Sequence, residues 1–441
     1  MGRFKTDFDS IISKTIESVK PESLFKNKVF RDKSLIKIYG KTFLLDDYEN
    51  IYVVGAGKAS AAMAVEIEKI LLHEINTGFV VTKYGYSLPT KKIKVLEAGH
   101  PIPDENSLKA AKEILDILTH LNQNDLVIFL ISGGASSLME HLPAEIDLES
   151  LKQTNQILLA CGAPIEEINI IRKQISLIKG GKLIKKILPA TVISFIISDV
   201  IGDSPSTIAS GLTILDSSNF SDAIQMVNKY SLNGQLPENV YNYLLNGEKE
   251  ERTTSTKNRK FSFEHFHNFI IGTNADALNS AENEAKKLGY SVIKFPQAIK
   301  GEARETAKSL IEFLSQLLKN GNLNFPICLL AGGETTVSVT GDGTGGRNQE
   351  LTLALLPLLE KSDYKFLFGS IGTDGSDGFT DAAGAWIGNN TLISMREQRL
   401  NPLTFLNNND SFHFFKKTVG LIKTGPTYTN VMDIFIGLID L

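Results

Sequence analysis

A chain of 441 residues exceeds the ~100–200 residues of a typical domain, so two or three domains are expected. With 42% hydrophobic and 22% charged residues its composition is that of an ordinary globular protein, and no apolar stretch nears the ~18 residues of a membrane-spanning helix. A net charge of −4 excludes a general pull toward nucleic acid or anionic lipid, so any anion site must be local.

Phe8, Ile11, Ile12, Thr15, Ile16 and Val19 recur at helical spacing where a signal peptide would need an unbroken apolar run; a cytoplasmic location is the expectation. From residue 51 to about 215, apolar strand-like runs alternate with helical segments. Ile51–Val54, Leu126–Ile131 and Val192–Ile197 are the clearest, each followed by glycine, serine or aspartate. Unbroken apolar runs predict a parallel sheet covered on both faces, with ligands bound at the carboxyl ends of its strands.

The first strand ends in Val54-Gly55-Ala56-Gly57-Lys58-Ala59-Ser60. As a dinucleotide fingerprint it has Ser60 at the third glycine position, and the next strand, Val80-Val81-Thr82-Lys83, supplies no ribose-binding acid. As a phosphate loop it has Tyr52 for the first glycine and Ala59 for the magnesium-binding hydroxyl. Strand–glycine–helix turns are commonly structural; Lys58 tilts this one toward anion binding. His100 lies in a rigid turn, Glu97 to Asp104, and the histidines and the two cysteines form no zinc pattern. Ile131-Ser132-Gly133-Gly134-Ala135-Ser136-Ser137 closes another strand, with more hydroxyls than a helix cap needs. Ser198-Asp199-Val200-Ile201-Gly202-Asp203 closes a third; Asp199 suits a magnesium ion, a substrate hydroxyl or a capped turn.

Asn246 to Lys260 lacks apolar periodicity and reads as a linker or surface hairpin. Alternation then resumes, with strands at Phe269–Ile271, Ser291–Phe295, Ile327–Ala331 and Phe366–Ile371, predicting a second α/β domain. The run ending at Ala331 meets Gly332-Gly333-Glu334-Thr335-Thr336; Gly341 to Gly346 then precede Arg347 and an amphipathic run, Leu351–Leu359. Glycine turns and a helix start beside an arginine suit phosphate. Gly372-Thr373-Asp374-Gly375-Ser376-Asp377 is acidic but lacks the closing glutamate of a calcium loop.

Together these segments, with Ile178 to Leu183, resemble the glycerate 2-kinase family along nearly the whole chain. The resemblance implies an N-terminal Rossmann-like parallel-sheet domain, 1–245, and a C-terminal α/β (MOFRL) domain, 262–441, with the active site in the interdomain cleft. The segment from about 425 to 441 is expected to pack back on the N-terminal domain. The implied reaction moves the γ-phosphoryl of ATP directly to D-glycerate, giving 2-phosphoglycerate, with Mg2+ or another divalent cation. The implied catalytic residues are Lys58, Asp199 and Arg347. Nucleotide contacts are expected from Gly55, Gly57, Ser132, Gly133, Gly134, Ala135, Ser136, Ser137, Gly332, Gly333, Glu334, Thr335 and Asp374, and metal contacts from Asp199 and Glu334. D-glycerate and ATP are the expected partners, with neither nucleic acid nor membrane, and a homodimer among the expected assemblies.

The chain departs from the family pattern at Gln174, where histidine is common, and at Leu212, usually proline. Tyr428 stands for a usual glycine and Met432 for a usual asparagine. Two alternatives stay open: an NAD(P)H-dependent hydroxypyruvate reductase, and a non-catalytic sensor of a phosphorylated metabolite.

Overall fold

Apolar runs that end in glycine or serine become the parallel strands of the first half. A computed structural model describes residues 2–214, 216–253, 264–319, 321, 323–360 and 362–441. Two compact units make up the chain: residues 24–271, and residues 1–23 together with 272–441.

The first unit begins with an antiparallel meander, β1 (Val29–Asp32), β2 (Leu35–Ile38) and β3 (Lys41–Leu44). Its main sheet holds β4 (Asn50–Ala56), β5 (Ile75–Lys83), β6 (Ile93–Ala98), β7 (Asp125–Ile131), β8 (Thr191–Ile197) and β9 (Phe266–Gly272). Their order is β6-β5-β4-β7-β8-β9, and the ladders from β6 to β8 are all parallel. Every residue of β7 and β8 is buried, as strands covered on both faces require. Phe269–Ile271, expected in the second domain, instead lies in β9 at the edge of the first sheet beside β8. The polar stretch from Asn246 is no hairpin as far as Thr253. It continues the helix Glu238–Thr253, anchored by buried Val240 and Leu244, and residues 254–260 lie outside the described residues.

The second unit carries a mixed seven-stranded sheet. Its strands are β10 (Ser291–Lys294), β11 (Ile299–Glu302), β12 (Ile327–Thr336), β13 (Lys365–Gly372), β14 (Gly384–Gly388), β15 (Leu421–Ile422) and β16 (Asp433–Asp440). The order is β10-β12-β16-β13-β14-β15, with β11 also paired to β12. The expected placing of 425–441 on the N-terminal domain differs from this arrangement. β16, buried from Asp433 to Ile439 and apolar after its first residue, is sandwiched antiparallel between β12 and β13. The helix Gly2–Val19 also packs in this unit: Tyr290 Oη donates to Asp7 at 2.7 Å, and Thr429 Oγ1 to the Val19 carbonyl at 2.6 Å. The helix Arg347–Leu359 is not an amphipathic surface helix. Every residue from Asn348 to Leu356 is buried, which makes it the centre of this unit's core. Among the described residues no helix is long and apolar enough to cross a membrane.

Gly332–Thr336, expected as a turn, continues β12. Gly333 has φ +143°, and a Cβ there would lie 2.2 Å from the Ile299 carbonyl oxygen of β11. Gly333→Ala is therefore expected to cost about 3 kcal/mol, combining a forbidden backbone with overpacking, read as a lowered urea-unfolding midpoint.

Candidate active site

The first sheet has the doubly wound strand order, which reverses between β4 and β7, the place where such sheets bind ligands. Both loops singled out in the sequence leave the sheet there. Their backbones lock together: Lys58 N–H donates to the Gly133 carbonyl at 2.9 Å, and Ala59 N–H to Ser132 Oγ at 2.9 Å. A Cβ on Gly57, where φ is +135°, would lie 2.2 Å from Ser132 Oγ, so only glycine permits this approach. Ser60, at the third glycine position, donates to the Val81 carbonyl at 2.6 Å and ties the turn to β5. The amides of Gly57, Lys58 and Ala59 thus serve the fold, and Ser132 is fully buried. Half-buried Ser136 and Ser137 are the more accessible hydroxyls, with Ser136 Oγ 2.9 Å from Ser210 Oγ.

His100 is a residue that sequence reasoning passed over. A Cβ on Gly134 would come within 2.8 Å of the His100 ring and 3.4 Å of Lys58 Cγ, so glycine lets both side chains close over this loop. Its signal was the glycine–histidine–proline turn after β6, legible as rigid but not as a neighbour of the Gly134 loop. Asp199 follows β8, one strand further along. In the same loop Asp203 is held at φ +52°, and its buried Oδ1 has no hydrogen-bond partner among the described residues. A carboxylate oxygen short of a donor suits a hard cation.

In the second unit, Arg347 opens its helix between two carboxylates. Nε and Nη2 bind Asp433 at 2.6 and 2.9 Å, and Nη1 binds Glu334 at 2.6 Å. Burial opposes its charge, but Asp433 and then Glu334 more than offset that and hold the guanidinium protonated. Asp433 heads β16, in register with Gly333 of β12 and Gly372 of β13, and its side chain is 1% exposed.

The helix start read from the sequence as a phosphate cradle already holds an anion. Asp377 accepts the N–H groups of Asn348 at 3.0 Å and Gln349 at 2.9 Å, and both side-chain amides as well. A Cβ on Gly346 would lie 2.3 Å from Asp377 Cγ, which explains the glycine before Arg347. Neither Asp433 nor Asp377 was a predicted site residue.

Asp374 is buried, its Oδ1 accepting from Ser376 N–H at 2.9 Å, and Thr335 is buried in β12. Tyr428 and Met432 have φ +61° and +68°. This left-handed backbone is the physical reason that glycine and asparagine suit those positions. Gln174 is buried and donates to the Ser218 carbonyl at 3.0 Å, and Leu212 lies in the core. Among the described residues no three His, Cys, Asp or Glu side chains cluster as a ready-made metal site.

Fold and loops define a two-unit α/β protein whose first unit is doubly wound. Residues 7–245 match the domain of unknown function DUF4147, and residues 327–433 match the MOFRL family. The chain is 40% identical to a glycerate 2-kinase of Pyrococcus horikoshii, over 97% of its length and 96% of that protein's. It is 39% identical to a putative hydroxypyruvate reductase of Agrobacterium vitis, over 87% of this chain and 85% of that one. The crystal structure of a glycerate kinase from Thermotoga maritima superposes with a TM-score of 0.83 at 35% identity, covering all of both chains. The chain belongs to the glycerate 2-kinase family.

Burial pushes the Asp377 carboxyl up to about 6, against the pull of the Asn348 and Gln349 amides. The folded protein therefore holds this proton more tightly than the unfolded chain does. This group makes stability fall as pH rises between about 4 and about 6, and adds no slope above that window. Asp377→Ala should remove that contribution to the slope. At pH 7 it should also cost about 2–3 kcal/mol by orphaning buried donors, both effects read from urea unfolding across pH.

Proposed function

We propose that the chain transfers the γ-phosphoryl group of ATP to the 2-hydroxyl of D-glycerate, giving 2-phosphoglycerate, as a cytoplasmic enzyme. The observation that carries this reading is 40% identity to a glycerate 2-kinase over 97% of the chain, with Lys58, Asp199 and Arg347 all present. Phosphoryl transfer needs little covalent help from a protein; positioning and charge neutralisation supply most of the rate.

Lys58 and Arg347 offset negative charge on the transferring phosphoryl group and the substrate carboxylate. Asp433 and Glu334 fix the direction of the guanidinium, so no reorganisation is needed as charge develops. Asp199 orients the C2 hydroxyl and takes its proton. The turn at Gly55 and Gly57 and the loop Ser132, Gly133, Gly134, Ala135, Ser136 and Ser137 admit the nucleotide close to the backbone. Gly332, Gly333, Glu334, Thr335 and Asp374 shape the surroundings of Arg347.

A divalent cation would be held by Asp199, with the orphan oxygen of Asp203 in the same loop. Such an ion neutralises phosphate charge, and magnesium sites commonly use one or two carboxylates plus phosphates. Glu334, the other candidate ligand, already gives Oε1 to Arg347.

A hydroxypyruvate reductase is the second reading, favoured by the name of the Agrobacterium vitis relative. Ser60 and the absence of a ribose-binding acid after β5 count against it. Incubation with ATP, magnesium and D-glycerate should yield 2-phosphoglycerate by phosphorus NMR; NADH consumption with hydroxypyruvate, and no such product, would reverse the ranking. Arg347→Ala and Lys58→Ala should each lower turnover by about 10²-fold or more in steady-state assays.

A further inference from the structure

Beside the Ser132–Ser137 loop, wholly within the first unit, lies a cavity of about 130 Å3. The helix Leu148–Ala160 presents Lys152, Asn155, Gln156 and Leu159 to it, the i, i+3, i+4 and i+7 positions of a single face. Arg172, Lys179, Ser136, Ser137 and the Pro101–Pro103 turn complete the wall. Three cations thus line a small space, and among the described lining residues there is no carboxylate.

Charges around the cavity are compensated unevenly. Lys179 is ion-paired with buried Glu140, which also accepts from Ser176 Oγ at 2.6 Å. Lys173 pairs with Asp216 at 3.1 Å, and Lys182 donates to the carbonyls of Lys173 and Ser176, both at 2.7 Å. Among the described residues neither Lys152 nor Arg172 has an ion-pair partner; Arg172 Nε meets only the neutral Asn155 Oδ1, at 2.8 Å. Burial pulls the Arg172 guanidinium below its ordinary range, with Glu140 opposing. A desolvated cation facing a polar cavity is stabilised by an arriving anion. A phosphate or carboxylate group fits the volume, since a water molecule occupies about 30 Å3.

We propose that this cavity seats an oxyanion of one of the two reactants, a nucleotide phosphate or the hydroxy-acid carboxylate. Lys152 and Arg172 are its charged contacts, and Ser136 and Ser137 its hydroxyl donors. Assigning the anion to a reactant rests on the glycerate kinase reading; the existence of the anion site does not.

The test therefore has two arms. Titration of the full chain with inorganic phosphate, followed by calorimetry, needs no turnover. Lys152→Ala and Arg172→Gln should each weaken that binding about tenfold, Lys152→Ala keeping the test decisive should the more buried Arg172 variant fail to fold. In the active enzyme, the same variants should raise one Michaelis constant about tenfold, with kcat nearly unchanged. A raised constant for ATP identifies a phosphate, and one for D-glycerate the carboxylate. Unchanged phosphate binding overturns the site, as do two unchanged Michaelis constants in an enzyme that turns over. A chain without glycerate kinase activity removes the reactant assignment alone, leaving the phosphate titration to decide the cavity.

Discussion

The bidentate pair between Arg347 and Asp433 organises the strand ends of the second unit's sheet. Asp433 is buried at the head of the central strand, and Gly333 and Gly372 flank it in register. Glycine at 372 lets the next turn close on the strand end: a Cβ there would lie 2.7 Å from the Ser376 carbonyl oxygen. A buried carboxylate is tolerable only when paired and hydrogen-bonded, so removing one partner commonly costs about 3–5 kcal/mol. Glu334 takes the guanidinium's remaining edge, and Asp377 fixes the first turn of the helix that carries it. The cation and its helix are thereby held by carboxylates from three separate segments of the chain, Glu334, Asp377 and Asp433.

That arrangement changes what the glycines around Arg347 are for. Gly346 makes room for the Asp377 carboxylate, and Gly333 for the backbone of β11. The helix N-terminus is neutralised by an internal anion. The charge the region can offer under the proposed function is a guanidinium held in one orientation. Preorganisation of this kind favours a developing charge over a resting one, because the donor is already oriented.

Local signals were legible and non-local ones were not. β4, β7 and β8 could be read because unbroken apolar runs ending in glycine or serine have few alternatives. Lys58 and Ser132–Ser137 could be found because they leave strand ends directly, and strand order alone then brings their loops together. Asp433 carried no signal: an aspartate before an apolar run looks like a turn residue until β16 is known to lie between β12 and β13. The same long-range pairing hid the place of the helix Gly2–Val19, whose periodicity was plain but whose partners lie more than 250 residues away. Tyr428 and Met432 depart from the family pattern at two left-handed positions, where the backbone explains the usual glycine and asparagine.

Asp433 tests the account most directly, because it is held to act only through the arginine it orients. Steady-state kinetics of Asp433→Asn with ATP and D-glycerate should show kcat reduced by about 10²-fold, with the Michaelis constant for ATP within about threefold of the parent. A variant that keeps its turnover number while the Michaelis constant for ATP rises steeply would contradict it. Arg347 would then be an anchor for bound phosphate and not a cation aimed at the transition state.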